Sequence, residues 1–164
     1  MSERKEWREL WRIGVPSIVR VFLWRLARNS IPTGVVHHNK NMAPHGGCSL
    51  CGQPDSWQHS LIDCNVARCV CSLEKVEIAE LVSNAGGEDM RGWVAELLQH
   101  LKQEEMIRVV VRLWAIWYVR RKAIYGDQFQ SPLSTHCFVE RFAAELELIK
   151  PESKKKQTMS PSPQ

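Results

Sequence analysis

Long apolar runs are missing from this 164-residue chain. Stretches such as Val21–Trp24 and Val109–Val111 fall far short of the roughly 20 residues a bilayer span needs, so no membrane partner is expected. A secretory signal is missing too, because Met1-Ser2-Glu3-Arg4-Lys5 opens on charge rather than an apolar core. The protein is therefore expected in the nucleus or cytoplasm and not outside the cell, which removes the setting for a disulfide framework. Aspartate is scarce: Asp55, Asp63, Asp89 and Asp127 are the only four, and they are scattered. Two-metal phosphoryl chemistry needs clustered carboxylates. Phosphate-loop, zinc-protease and nucleophile-elbow motifs are also absent, so an enzyme is not expected. Strand alternation and internal repeats are lacking as well. What remains is one ordinary domain's worth of chain, 44% hydrophobic and 24% charged, with six cysteines and seven tryptophans.

The net charge of +4 is unevenly spread. Residues 1–47 carry +5, residues 48–64 carry −2, residues 65–101 carry −3, residues 102–149 carry +1 and residues 150–164 carry +3. A basic N-terminal third suits a phosphate backbone. A solvated helix face accounts for the same charge and is the simpler reading on charge alone.

Helical periodicity dominates. Trp7, Leu10 and Trp11 mark a short first helix, with Glu6 and Glu9 near its start, ended by Gly14 and Pro16. Ser17 can cap the next helix, where Ile18, Phe22 and Leu26 form one face with Val19 beside them and Arg20, Arg25 and Arg28 off it. Asn29–Thr33 reads as a break, with Thr33 a cap for a short helix. Val76, Ile78, Leu81 and Val82 suggest another helix, and Trp93, Leu97, Leu98 and Leu101 one more. Ile107, Val110, Val111, Trp114, Trp117 and Tyr118 give the strongest periodicity, after the acidic pair Glu104-Glu105 at its N-terminus and before the cations Arg120, Arg121 and Lys122 in its last turns. A final helix is expected from near Ser134 to Lys150-Pro151, followed by a disordered polar tail over 150–164. The tryptophans Trp11, Trp24, Trp93, Trp114 and Trp117 lie on apolar stripes and read as core, with base stacking open to one or two of them.

The segment 39–64 holds too little apolar surface to order itself. It contains Cys48-x2-Cys51, then His59 after seven residues and Cys64 after four more. Three sulfurs and one imidazole suit tetrahedral zinc, and Gly52 permits the tight turn such a knuckle needs. His59 and Cys64, five apart, stand about 140° apart on an ideal α-helix and cannot both face one ion from it. A short helix opening near Asp55 or Ser56, with Cys64 at or past its end, solves this. Four protein ligands leave no open coordination position, so one structural Zn2+ per chain is expected. Cys69 reads as a reduced thiol that could replace Cys64 only in a distorted site. Cys71 and Cys137 read as reduced thiols, with Cys137 packing as a small hydrophobe beside His136. His37, His38 and His45 read as solvated loop residues or as donors to a phosphate.

Leu10-Trp11-Arg-Ile-Gly-Val-Pro16, Val21-Phe22-Leu23-Trp24-Arg25-Leu26, Ile31-Pro32-Thr33 and the Cys48, Cys51-Gly52, His59, Cys64 set together resemble the zinc-binding domain of plant reverse transcriptases. That domain follows the polymerase in non-LTR (LINE-type) retrotransposons. The likeness covers roughly residues 7–72, and Leu113–Tyr125 resembles the helix that commonly comes next. It departs from the family pattern at Ser49 and Asn65, where proline is frequent, and at Ile31, usually leucine. The resemblance implies zinc held by Cys48, Cys51, His59 and Cys64, and a contact with RNA or DNA. Met1 immediately ahead of the motifs, and a polar tail where an RNase H region would follow, lead us to expect a module without either catalytic part.

The expectation is thus an all-α fold with a small CCHC zinc-knuckle loop. Residues 1–72 form the zinc-binding domain (knuckle 48–64), residues 73–149 a helical segment, and residues 150–164 a tail. Arg20, Arg25, Arg28 and Lys40 are the expected nucleic-acid contacts. The alternative is a protein-interaction domain, or a transposon remnant without nucleic-acid binding, using the acidic 65–101 segment and the Ile107–Tyr118 helix as a partner surface. Lys154–Lys156 are too few to establish a nuclear-import signal.

Overall fold

The computed structural model describes residues 8–9, 12–28, 30–33, 41, 46–84, 89–126 and 128–158, with side chains described as far as Ile149. Among these residues the fold is all-α, and its only β feature is an isolated bridge between Gly47 and Pro54. None of the described helices is long and apolar enough to cross a membrane.

Helix α1 is Ser17–Ala27. Pro16 rather than Ser17 precedes its first turn, and no side chain caps it. Its buried face is Val19, Phe22, Leu23 and Leu26, a clean i, i+3, i+4, i+7 stripe. Ile18, expected on that face, is 63% exposed. The stripe is shifted by one residue because Val19, not Ile18, is in phase with Leu23 and Leu26. Of the first expected helix, only residues 8, 9 and 12 are described, and they are helical; Trp7, Leu10 and Trp11 lie outside the described residues. So does the short helix expected after Thr33.

A π-helical turn, His59–Asp63, leads into α2 (Asn65–Cys71) and α3 (Val76–Ser83). Helix α4, Met90–His100, is capped by Asp89, which accepts from the Gly92 N–H at 2.8 Å. The fully buried Trp93 of α4 donates its indole N–H to the Val82 carbonyl at 3.2 Å and so ties α4 to the end of α3.

Helix α5, Gln103–Gly126, is the axis of the molecule. The Lys102 N–H is held by Glu105 at 3.0 Å, so the acidic first turn caps the helix as its charge suggested. Helix α5 packs against α1, α2, the π turn and α6 (Pro132–Thr158). Its expected stripe is core as far as Val111, with Trp114 and Trp117 half-buried. That face is therefore not available as the partner surface of the alternative reading; only Tyr118 at its end is exposed. A second stripe, Val109, Leu113, Ile116 and Ala123, is buried as well. One buried cluster runs from Ile13 to Val139, drawing on chain from both sides of residue 72.

Helix α6 starts two residues earlier than expected. Pro132 takes its first position and the Ser131 hydroxyl accepts from the Ser134 N–H at 3.1 Å. Its backbone also passes the expected stop at Lys150-Pro151 and continues to Thr158. A proline removes one N–H donor, whereas Leu146, Glu147 and Leu148 before it and Glu152, Lys154–Lys156 and Gln157 after it are strong helix formers on either side of that single gap. Residues 159–164 of the expected tail lie outside the described residues.

Candidate metal centre

The knuckle is built by backbone bonds that loop around one cysteine. The Cys48 N–H donates to Gln53 O at 2.6 Å and the Gly52 N–H to Cys48 O at 2.8 Å. Gly52 sits at φ +80°, a left-handed conformation that side-chain-bearing residues rarely adopt. The Gly47–Pro54 bridge and the Asp55 N–H on Gly46 O (2.8 Å) close the loop. Inside it the Leu50 N–H points at Cys48 Sγ from 3.4 Å.

The other half of the site follows directly. The Ser56 hydroxyl accepts from the His59 N–H at 3.2 Å and caps a short helical turn over Trp57 and Gln58, which opens where the sequence placed it. From His59 the backbone widens: the Cys64 N–H bonds to His59 O at 2.7 Å, an i→i+5 closure. This is how two ligands five residues apart reach one point. Cys64 stands just past the turn, in an extended conformation, and heads α2.

Cys48, Cys51, His59 and Cys64 come together with their ligand atoms all within 4.8 Å of one another. His59 Nε2 lies 3.1 Å from Cys51 Sγ. A tetrahedral zinc with bonds of about 2.3 Å to sulfur separates its sulfurs by about 3.8 Å, so the cluster is the right size and the donor set the right chemistry. These four residues can hold one metal ion. Cys48, His59 and Cys64 are buried, whereas Cys51 faces solvent.

The remaining thiols stay apart from the cluster. Cys69 and Cys137 are exposed, so Cys137 does not pack as the small hydrophobe expected of it, and Cys69 does not replace Cys64. Cys71 is buried among apolar groups, which pushes its thiol up to about 11 and leaves it inert.

Arg120 was expected as one of three cations suiting the helix dipole in the last turns of α5. It is instead 3% exposed and lies beneath the knuckle. Its Nη2 donates to Cys48 Sγ at 3.0 Å and pairs with the Asp55 carboxylate, which also accepts from the Ser60 hydroxyl at 2.7 Å. Burial alone would raise the Cys48 thiol. The Leu50 N–H, Arg120 and His59 outweigh it and bring the thiol down to about 6. For Cys64, burial prevails and raises the thiol, although Arg120 acts on that sulfur too. The guanidinium itself is raised, because its anionic neighbours outweigh its burial. A signal for Arg120 existed in the sequence. It continues the stripe Val109, Leu113, Ile116, and a charge on an apolar stripe is buried only where it has a partner.

Residues 1–70 match the family described as zinc-binding in reverse transcriptase. The zinc-binding match takes in α1, the knuckle, the π turn and all four ligand positions, and ends within α2. It concerns the zinc-binding part of reverse transcriptase and not the catalytic domain. No curated protein and no solved structure matches the chain.

The expected nucleic-acid contacts separate into three cases. Arg25 and Arg28 are exposed on α1, with Arg28 stacked over Trp24 at 4.5 Å. Arg20 folds back onto the chain, its Nη2 donating to the Ile13 and Val15 carbonyls at 3.2 and 3.3 Å. Lys40 lies outside the described residues, as do His37, His38 and His45.

Proposed function

We propose that the chain is a retrotransposon-derived zinc-binding module, without polymerase or RNase H chemistry, that works by binding RNA or DNA. One observation carries the reading. Within the stretch that matches a zinc-binding family, three cysteines and one histidine converge closely enough to fill the whole coordination shell of one zinc. A closed shell leaves no position for a reacting water, so the ion holds structure rather than doing chemistry. The plant, LINE-type origin rests on the sequence motifs of α1 and the knuckle. The reduced thiols this reading requires fit the nucleus or cytoplasm.

A surface for nucleic acid is supported by cations interleaved with rings. Besides Arg25 and Arg28 of α1, Arg121 of α5 lies 5.7 Å from the Trp117 ring and 5.5 Å from that of Tyr125, and Lys122 lies 4.8 Å from Tyr118. The Phe22 and Trp117 rings, 6.5 Å apart, join the two helices. Cations for phosphates beside faces for bases are what single-stranded binding uses. The alternative, a protein-interaction domain or remnant, is favoured by one feature: Ile18 and Val21 stand exposed on α1, two turns and one turn before Arg25.

Elemental analysis of the purified chain is expected to find one zinc, lost in Cys51→Ser and in His59→Ala. A wild-type knuckle, residues 46–64, that stays ordered without metal would overturn the reading. Titration with single-stranded RNA is expected to show affinity falling steeply with salt, with a shallower slope after Arg25→Glu and Arg28→Glu. No binding at low ionic strength would favour the protein-partner alternative.

A further inference from the structure

We propose that Arg120 belongs to the zinc centre: α5 supplies the cation that neutralises the buried side of the metal–thiolate cluster, so the site is complete only when chain well beyond the 1–70 match has docked. The proposal rests on the structural-zinc reading above.

Charge gives the reason. One Zn2+ with three thiolates and a neutral imidazole carries a net charge of −1. Water can solvate that charge at the exposed Cys51, but not at Cys48 and Cys64, which are 3% and 2% exposed. A buried anion needs a paired cation. Arg120 is the buried cation that donates to Cys48 Sγ, at 3.0 Å, and its charge reaches Cys64. Asp55 aims it. The Asp55 carboxylate takes both the guanidinium and the Ser60 hydroxyl, while its backbone N–H is fixed on Gly46 O. Knuckle, π turn and α5 are thereby closed into one network. An N–H···S bond draws electron density off the sulfur and makes the bound thiolate less nucleophilic, while the guanidinium charge stabilises the loaded, anionic cluster. A role confined to pairing Asp55 would leave the sulfur out, and that is what a test has to separate.

The test uses the full chain loaded with Co2+ in place of zinc, with three measurements: the thiolate-to-cobalt charge-transfer band, affinity against a competing chelator, and the rate of thiol alkylation. In Arg120→Gln the band is expected to move to lower energy, affinity to fall roughly tenfold to a hundredfold, and alkylation to quicken. Arg112→Gln is the control: it removes an equally buried arginine from the same helix, one that pairs with Glu74 and touches no ligand. Its band is expected to stay in place. An unmoved band in Arg120→Gln, or an equal shift in Arg112→Gln, overturns the proposal and reduces Arg120 to a structural residue. Should the glutamine variant not fold, Arg120→Lys carries the test. One ammonium serves Cys48 and Asp55 less well than a forked guanidinium, so a partial shift is expected and an unmoved band again overturns the idea. A wild-type chain that takes up no cobalt would overturn the zinc reading itself, a separate failure.

Discussion

Two buried arginines on α5, each 3% exposed, end in opposite kinds of surroundings. Arg112 faces carboxylate. It pairs with Glu74, donates to the Val70 carbonyl at 3.3 Å and contacts His136 Nδ1 at 3.1 Å, while Arg108 reaches the same Glu74 at 3.1 Å and also pairs with Glu140. Arg120, eight residues on and about 12 Å along the helix, faces sulfur. The first centre joins the loop after α2 to α5 and α6 using charges the chain carries itself. The second joins the knuckle to α5 and, on the proposed reading, needs zinc to be whole. Burial of a charge does not by itself reveal what the charge is for; the atom it meets does.

Removing the metal should separate the two centres most widely. Structural zinc contributes on the order of 10–16 kcal/mol of apparent binding free energy in small metal domains. Chelation is therefore expected to strip hydrogen-exchange protection first from the Cys48, Gly52 and Cys64 amides. Amides of α5 around Arg112 should hold longer. Simultaneous loss at both places would show that they form one cooperative unit.

Glu74→Gln attacks the other centre. It takes the buried anion from Arg112 and leaves only the half-exposed Glu140 at 3.7 Å, for an expected loss of up to about 3–5 kcal/mol in denaturant melts, with zinc content unchanged. Burial opposes ionisation of Glu74, but the Lys75 N–H, Arg112 and Arg108 prevail and hold its carboxyl below the usual 4.5. The folded value is depressed, so this contribution is complete above about pH 4.5 and is lost as pH falls through the lower folded value. Acid melts of the wild type should steepen there, and those of Glu74→Gln should not. The smallest effect is expected from Asp89→Ala, which unties only the first turn of α4 and touches neither a metal ligand nor a buried arginine. It should cost about 1 kcal/mol with metal content and α5 protection unmoved; a larger loss would mean that α4 supports one of the centres.

The sequence made the local features legible where spacing alone determines geometry. The Cys48-x2-Cys51 turn, the capped turn before His59 and the buried length of α5 all follow from residue type and interval. What escaped was tertiary. Val19 and Ile18 are equally apolar, and only the placement of α4 and α5 decides which one faces the core. Arg120 and Arg121 are adjacent cations in the sequence, and only the knuckle's placement buries one and leaves the other exposed. Pro151 reads locally as a stop, yet the helix formers around it carry α6 onward. Trp57, left unassigned by periodicity, packs on Trp93 with ring centroids 5.0 Å apart, a pairing between the metal loop and α4 that no local pattern announces.

The wide turn at His59–Asp63 sets a limit on chain length. An α-helical turn would close with one residue fewer and swing Cys64 to another side, so the four residues between His59 and Cys64 act as a length standard for the site. Substitutions at exposed Asp63 leave that standard intact. A single deletion or insertion in the interval breaks it, even if every ligand is kept. For this centre, the count of residues between the ligands is as much a part of the binding site as the ligands are.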